Sequence, residues 1–256
     1  MKIATWNVNS VLARLPHLTR WLDTAEPDIA CLQETKCTDD KFPIDVLKEH
    51  GYGCVTFGQQ SYNGVAILAR GECGTVQRGY PGNDEADHAR LLATQFSGVQ
   101  IVNVYIPNGQ SVGSEKFHFK LNWMKRLRTF IETHYTNTAR VLLCGDFNVA
   151  PENRDVHNPQ LWQERIMCSE AERSALAEIK ELGFTDCFRK HHEEGGKFSW
   201  WDYRAGAFRR NNGLRIDHIW ATAPLVKYST SASIDFEPRT WERPSDHAPM
   251  VAEFEL

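Results

Sequence analysis

The sequence predicts an α/β protein of the α+β kind, with two mixed sheets packed face to face and helices outside them. Three observations point there. Short apolar runs bounded by turn residues recur in both halves of the chain. Segments with apolar residues at helical spacing lie among them. The chain has 256 residues, 41% of them hydrophobic, enough to bury a large core.

Lys2 to Val8 reads as a first strand with Asn7 and Asn9 at its end. Arg14 to Ala25 carries Leu15, Leu18, Trp21, Leu22 and Ala25 at helical spacing, and Pro27 enforces the stop. Asp28 to Glu34 is a buried strand that ends on a carboxylate. Asn63 to Ala69 is another strand, opened by a turn signal. Leu91 to Phe96 and Val99 to Ile106 flank Ser97-Gly98, a hairpin signal, and the second run delivers Tyr105, Pro107 and Asn108. Phe117, Leu121, Met124, Leu127 and Ile131 mark a long amphipathic helix.

Val141 to Cys144 is an apolar run that stops at Gly145 and delivers Asp146 and Asn148. Two residues apart in extended chain, those side chains point to one side. Pro151 ends any ladder, having no N–H to donate. Residues 152–168 read as an irregular surface loop. Ser169-Glu170-Ala171-Glu172 has the form of a capping box, whose helix ends near Leu182-Gly183. Leu214 to Trp220, Val226 to Phe236 and Met250 to Phe254 read as strands. No linker, low-complexity run or tandem repeat interrupts residues 1–256, which predicts a single domain.

Composition removes several function classes. No stretch approaches the roughly 18 apolar residues of a membrane span, and the N-terminus has no signal-peptide core. Seven scattered cysteines without a Cys-x-x-Cys pair argue against a disulfide framework or zinc site, and for reduced thiols in a cytoplasm. A net charge of −4 does not announce a nucleic-acid binder, but the charge is uneven. Arg189, Lys190, Lys197, Arg204, Arg209, Arg210 and Arg215 interleave with Phe198, Trp200, Trp201, Tyr203 and Phe208. Basic groups neutralise phosphates and aromatics stack on bases, although a solvated loop with core aromatics would read the same way.

Polar residues recur at predicted strand ends: Asn7, Glu34, Asn108, Asp146, Asn148, Asp217, Asp246 and His247. Each has a bland reading. Glu34 could cap a helix, Asp217 could pair with Arg215 or His218, and Ser245-Asp246-His247 could be a turn. Together they form an oxygen-rich donor set with few thiols or imidazoles, which suits Mg²⁺ or Mn²⁺. An Asp–His pair adds a proton-handling or charge-stabilising imidazole. That combination describes metal-assisted hydrolysis of a phosphodiester. No nucleophilic serine or cysteine motif and no Walker loop competes.

Seven motifs in order resemble those of the exonuclease III family of AP endonucleases, in the endonuclease/exonuclease/phosphatase superfamily. They are Ile3-Ala4-Thr5-Trp6-Asn7-Val8-Asn9-Ser10, Leu32-Gln33-Glu34-Thr35-Lys36, Asn63-Gly64-Val65-Ala66, Asn103-Val104-Tyr105-Ile106-Pro107-Asn108, Gly145-Asp146-Phe147-Asn148, Leu214-Arg215-Ile216-Asp217-His218 and Ser245-Asp246-His247-Ala248-Pro249. The resemblance implies a four-layered αββα sandwich and a Mg²⁺-dependent DNA-repair nuclease, and nothing in the sequence suggests more than a monomer. It would act on duplex DNA at abasic sites or 3′ ends.

Carried over, the resemblance makes Glu34 the main metal ligand with Asn7 beside it. Asp246, Asp146, Asn148 and His247 complete the metal surroundings. Asp146 would hold or deprotonate the attacking water and Asn148 would orient it. Tyr105 and Asn108 would bind the scissile phosphate, and Asp217 would orient a charge-stabilising His247. Whether Asp146 or the Asp217–His247 pair is the base stays open. Trp200, Leu214 and Ile216 would line an apolar pocket for an extrahelical sugar, and Arg204 would enter a groove. Met167, in the 152–168 segment, would hinder that sugar and favour 3′-end processing. A non-catalytic relative that binds nucleic acid would have lost part of the catalytic set, which is complete here. A phosphatase of lipid or inositol head groups would want a membrane-docking segment that the sequence lacks.

Overall fold

The computed structural model describes residues 1–81, 88–136 and 138–256. Among them are twelve strands: β1 (Lys2–Asn7), β2 (Ile29–Gln33), β3 (Gly53–Phe57), β4 (Val65–Ala69), β5 (Gln77–Arg78), β6 (Leu91–Phe96), β7 (Val99–Tyr105), β8 (Val141–Asp146), β9 (Phe184–Asp186), β10 (Asp217–Thr222), β11 (Ser229–Ile234) and β12 (Met250–Phe254). They build two six-stranded sheets, ordered β11-β12-β1-β2-β4-β3 and β5-β6-β7-β8-β10-β9. Each has one parallel pair at its centre, β1 with β2 and β7 with β8, and antiparallel pairs around it. The helices are α1 (Leu15–Ala25), α2 (Ile44–Glu49), α3 (Glu115–His134), α4 (Pro159–Trp162), α5 (Glu170–Lys180), α6 (Cys187–His191) and α7 (Ala223–Val226).

The period-two geometry of the strands sorts their apolar residues into three layers. Ile3, Ile29, Cys31 and Ile67 of the first sheet meet Ile101, Leu142, Cys144 and Ile219 of the second. On the outer face of the first sheet, Ala4, Trp6, Leu32 and Leu68 pack with Leu18, Trp21 and Leu22 of α1 and Leu47 of α2. On the outer face of the second, Val102, Val104 and Leu143 pack with Met124 and Leu127 of α3 and Leu176 of α5. Because both faces of each sheet are covered, the central strands are apolar almost throughout rather than alternating. This is the four-layered αββα sandwich.

Local chemistry explains several boundaries. Ser97 and Gly98 both take positive φ, +47° and +79°, as a two-residue hairpin turn requires. The Ser169 hydroxyl accepts the Glu172 N–H while Glu172 accepts the Ser169 N–H, so α5 opens on the expected capping box. Gly145 sits at φ +142°, and a Cβ there would lie 1.9 Å from Val104 O. Only glycine lets β8 close on β7 one residue before Asp146. Between the sheets, Gln33 Nε2 donates to Asn103 Oδ1 at 2.7 Å, and Asn103 Nδ2 donates to the carbonyls of Leu32 and Ala66. These buried amides hold β2 and β7 in step.

The structure corrects three expectations. The 152–168 segment is not simply a surface loop: it contains α4, and Asp155, Val156, Met167 and Cys168 are buried. Leu214 to Ile216 stand before β10 rather than in it, with Leu214 bridging Val156 and Trp200. The basic-aromatic stretch is divided between interior and surface. Phe198 and Trp201 are core residues. Arg215 is fully buried against Asp155 (Nε to Oδ1, 2.6 Å) and Asp186 (2.8 Å), and Arg189 also pairs with Asp155. Those two arginines are consumed by structure and are not free for phosphate. Arg204, Arg209 and Arg210 are exposed.

Candidate active site

The parallel pairs of both sheets point their C-terminal ends to one edge, where sites collect in open sheets. β1 delivers Asn7, and the residue after β2 is Glu34. Tyr105, at the end of β7, is in register with Asp146, at the end of β8. Asp217 opens β10 directly opposite Asp146. His247 precedes β12 and is bridged to Trp200.

Asn7 sits at the centre of the site. Its Nδ2 donates to Glu34 Oε1 and Asp146 Oδ2, both at 2.9 Å. Its Oδ1 accepts the Asn9 N–H. Asn7 therefore meets the carboxylates through nitrogen and bridges them, rather than offering an oxygen to a metal as expected from the sequence. Tyr105 Oη donates to Glu34 Oε1 at 2.9 Å. Lys36 Nζ, to which the sequence reading gave no role, lies 2.8 Å from Glu34 Oε2 and 2.6 Å from Asn9 Oδ1.

Asp146 Oδ1 accepts the Asn148 N–H, and its Oδ2 lies 3.7 Å from His247 Nε2. Burial first, then the carboxylates of Asp217 and Glu34, push Asp146 up to about 7 against the opposing charge of His247. His247 Nδ1 stands 2.9 Å from Asp217 Oδ2. Burial works against charge on His247, but Asp217 and Asp146 outweigh it and raise the imidazole to about 10. Ser199, also unforeseen, fixes Asp217. Its hydroxyl donates to Oδ2 at 2.6 Å while accepting the N–H groups of Ile216 and Asp217. Glu34 is held below its usual value, because Lys36 and Asn7 together outweigh burial. Tyr105 is pushed up by burial and by Glu34 and Asp146, so it remains a phenol donor.

Glu34, Asp146 and His247 each bring one potential ligand atom within 4.8 Å of the others. The two carboxylates fit a hard divalent cation. His247, whose Nε2 lies 3.7 Å from Asp146 Oδ2 and whose Nδ1 faces Asp217, is the third member of this group. Two other expected ligands are also engaged elsewhere. Asp246 Oδ1 and Oδ2 accept Asn9 Nδ2 and Trp200 Nε1. Asn148 Oδ1 accepts Asn108 Nδ2 at 3.1 Å, and Asn148 Nδ2 donates to Ile106 O. Asn108 and Asn148 therefore form a linked pair beside Asp146.

The residues expected to wall a pocket do meet. Met167, Leu214 and Ile216 form one buried cluster with Ala150 and Val156, and Trp200 and Trp162 pack on it. Met167 takes φ +71°, Glu34 +51° and Asn148 +50°. Arg204 is apart from this cluster, its side chain 88% exposed and paired with Asp202. A cleft of about 690 Å³ opens beside Tyr105 and Asn108 and is bordered by Arg90 and Lys116. Among the described residues no helix is long and apolar enough to cross a membrane.

Known proteins resemble this chain in sequence and fold. The Endonuclease/Exonuclease/phosphatase family matches residues 4–247. An exodeoxyribonuclease III of Haemophilus influenzae is 34% identical over 99% of this chain and 100% of its own. Among solved structures, the 3′ phosphatase NExo from Neisseria, bound to a product DNA hairpin, is 42% identical with a TM-score of 0.95, over 100% of both chains. An AP endonuclease from Archaeoglobus fulgidus is 39% identical with a TM-score of 0.97, again over 100% of both chains.

Proposed function

Since the chain belongs to the Endonuclease/Exonuclease/phosphatase family, and within it to the exonuclease III kind, we propose that this hydrolytic nuclease repairs DNA. It cleaves duplex DNA phosphodiesters at abasic sites and at 3′ ends, and acts as a cytoplasmic monomer. The observation that carries this reading is the convergence of Asn7, Glu34, Tyr105, Asp146, Asp217 and His247 at one sheet edge.

Of the two candidate bases, placement favours Asp146, which reaches Asn7, the Asn148 N–H and the candidate cation site together, whereas His247 is held between Asp217 and Asp146. As a carboxylate at that site it would take the proton of the attacking water. Asn148, whose N–H holds Asp146, orients the water with it. His247, protonated between Asp217 and Asp146, stabilises the negative charge that grows on the phosphoryl oxygens. Tyr105, on turning its O–H away from Glu34, and Asn108, through its amide, would donate to those oxygens. Glu34 and Asp146 would hold Mg²⁺, with Mn²⁺ as a substitute, and such an ion supplies Lewis-acid charge neutralisation at the phosphate. Arg90 and Lys116, along the cleft beside Tyr105, suit the continuing backbone of a polyanion.

The test is a gel assay on two labelled duplexes, one with a single central abasic site and one with a recessed 3′ end, each with Mg²⁺ or with chelator. Metal-dependent cleavage of either supports the reading, and the ratio of the two rates defines the balance. Failure to cleave both would sink it and favour a DNA-binding regulator of the same fold.

A further inference from the structure

Lys120 and Glu172 form an ion pair in which both side chains are completely buried. Lys120 Nζ has three protons and uses all of them: on the Asn148 carbonyl at 2.7 Å, on the Asn108 carbonyl at 3.2 Å, and on Glu172 Oε1. Glu172 is as fully used. Oε1 also accepts the Met167 N–H at 3.0 Å, and Oε2 accepts the N–H and hydroxyl of Ser169 at 3.1 and 2.6 Å. The pair therefore joins three loops through backbone atoms. Two of them present Asn108 and Asn148 to the reaction, and the third carries Met167 into the apolar wall.

Direct packing reinforces the joint. A Cβ at Gly109 would lie 2.9 Å from Ile166 Cδ1 and 3.1 Å from Lys120 Cδ, so the Asn108 loop presses on the segment that leads to Met167. With every donor and acceptor in use, no water can substitute for a lost partner without moving a loop. The Met167 backbone is left-handed and needs such support to persist.

We propose that the Lys120–Glu172 pair is a positioning element for specificity. It locks the Met167 peptide to the Asn108 and Asn148 loops and so sets how the protein divides its activity between abasic sites and 3′ ends. The inference rests on the nuclease reading above, and one experiment separates the two.

Glu172→Gln removes the charge and sets an amide NH₂ against N–H donors at Oε1 or Oε2, whereas Ser169→Ala removes the hydroxyl that donates to Oε2 and accepts the Glu172 N–H, which lowers helix stability. Both variants are confirmed as folded by circular dichroism and compared with the unsubstituted protein for kcat and KM on the two duplexes. With Met167 released, Glu172→Gln should raise the ratio of abasic incision to 3′-end cleavage at least fivefold and lower kcat on both. Ser169→Ala should leave the ratio within twofold. In a Met167→Gly background, Glu172→Gln should change the ratio no further. A ratio unmoved by Glu172→Gln in folded protein, or moved equally by Ser169→Ala, overturns the proposal.

The four methionines allow a readout free of activity, through ¹³C-methyl labelling with the Met167 signal assigned by its absence in Met167→Leu. If the unsubstituted protein cuts neither duplex, the nuclease reading fails. The tether is then judged by whether Glu172→Gln shifts the Met167 methyl: an unmoved signal overturns it, and a shifted one supports it.

Discussion

The His247 imidazole donates from Nδ1 to both oxygens of Asp217, at 2.9 Å to Oδ2 and 3.1 Å to Oδ1, inside a buried site. Asp217→Asn removes the charge that keeps the ring protonated. We expect kcat to fall by about 10²–10⁴. The folded state raises the His247 pKa from 6.5 to about 10. Its contribution to stability is therefore complete below pH 6.5 and lost as pH rises through about 10. Thermal melts of metal-free protein between those limits should show that decline, and it should be flatter in Asp217→Asn. An equally steep decline in the variant would break the link.

Asp146 carries the opposite liability. Its folded pKa is raised from 3.8 to about 7, so the cost of burying it is absent below pH 3.8, grows as pH rises toward about 7 and is complete above that. Asp146→Asn should melt higher than the unsubstituted protein at pH 8 in chelator, yet turn over at least about 10³-fold more slowly. The acid limb of the single-turnover pH profile should disappear in this variant. If that limb survives in the variant, Asp146 is not the base.

Divalent cation should be required, with chelator abolishing cleavage and Mg²⁺ restoring it. Binding can be followed apart from turnover by the electron paramagnetic resonance of free Mn²⁺. Glu34→Gln should weaken binding at least about tenfold by removing a carboxylate from the donor pair. Unchanged Mn²⁺ affinity would exclude Glu34 as a principal ligand.

Met167→Gly should shift preference toward abasic sites by about tenfold, because the side chain fills the wall formed with Leu214 and Ile216. Glycine also suits φ +71°, so part of the lost packing is offset by relief of strain. The ratio of rates on the two duplexes is the measurement. A ratio identical to that of the unsubstituted protein removes Met167 from specificity.

Arg215→Met tests the buried network. Arg215 is stacked over Phe188 and binds Asp155 and Asp186, whose carboxyls are held below their usual values because Arg215 outweighs burial. Losing it leaves Asp186 without a guanidinium and Asp155 with Arg189 alone, and denaturant unfolding should show about 3–5 kcal/mol of destabilisation. A loss under about 1 kcal/mol would mean water reaches those carboxylates.

The strands that matter to the site were legible because each is an apolar run with a polar residue at its end. That pattern placed Asn7, Glu34, Asp146 and Asp217 near the same edge before any coordinates. Their chemical type was legible too, but not their orientation. An asparagine reads as a ligand or a donor alike, and only the Asn9 N–H on Asn7 Oδ1 turns the nitrogen toward the carboxylates. Arg215 illustrates a different limit. Its partner Asp155 lies 60 residues away, and nothing local distinguishes an arginine bound for the core from one bound for solvent. The short edges β3, β5 and β9 escaped because pairing with a neighbour, rather than their own periodicity, makes them strands. Ser199 left no local signal, and the capping box that announced Glu172 gave no hint of Lys120, 52 residues away.

Glu34, Asn148 and Met167 all stand on left-handed backbone, a conformation that costs a non-glycine residue on the order of 1 kcal/mol. A library selected for heat resistance alone would find easy gains at these three positions, since glycine there relaxes the chain. It would accumulate folded, durable proteins that had lost the carboxylate, the amide or the discriminating thioether. Selection that alternates heat challenge with turnover on damaged DNA would instead keep the strain in place and gather its gains elsewhere, in the edge strands and outer helices.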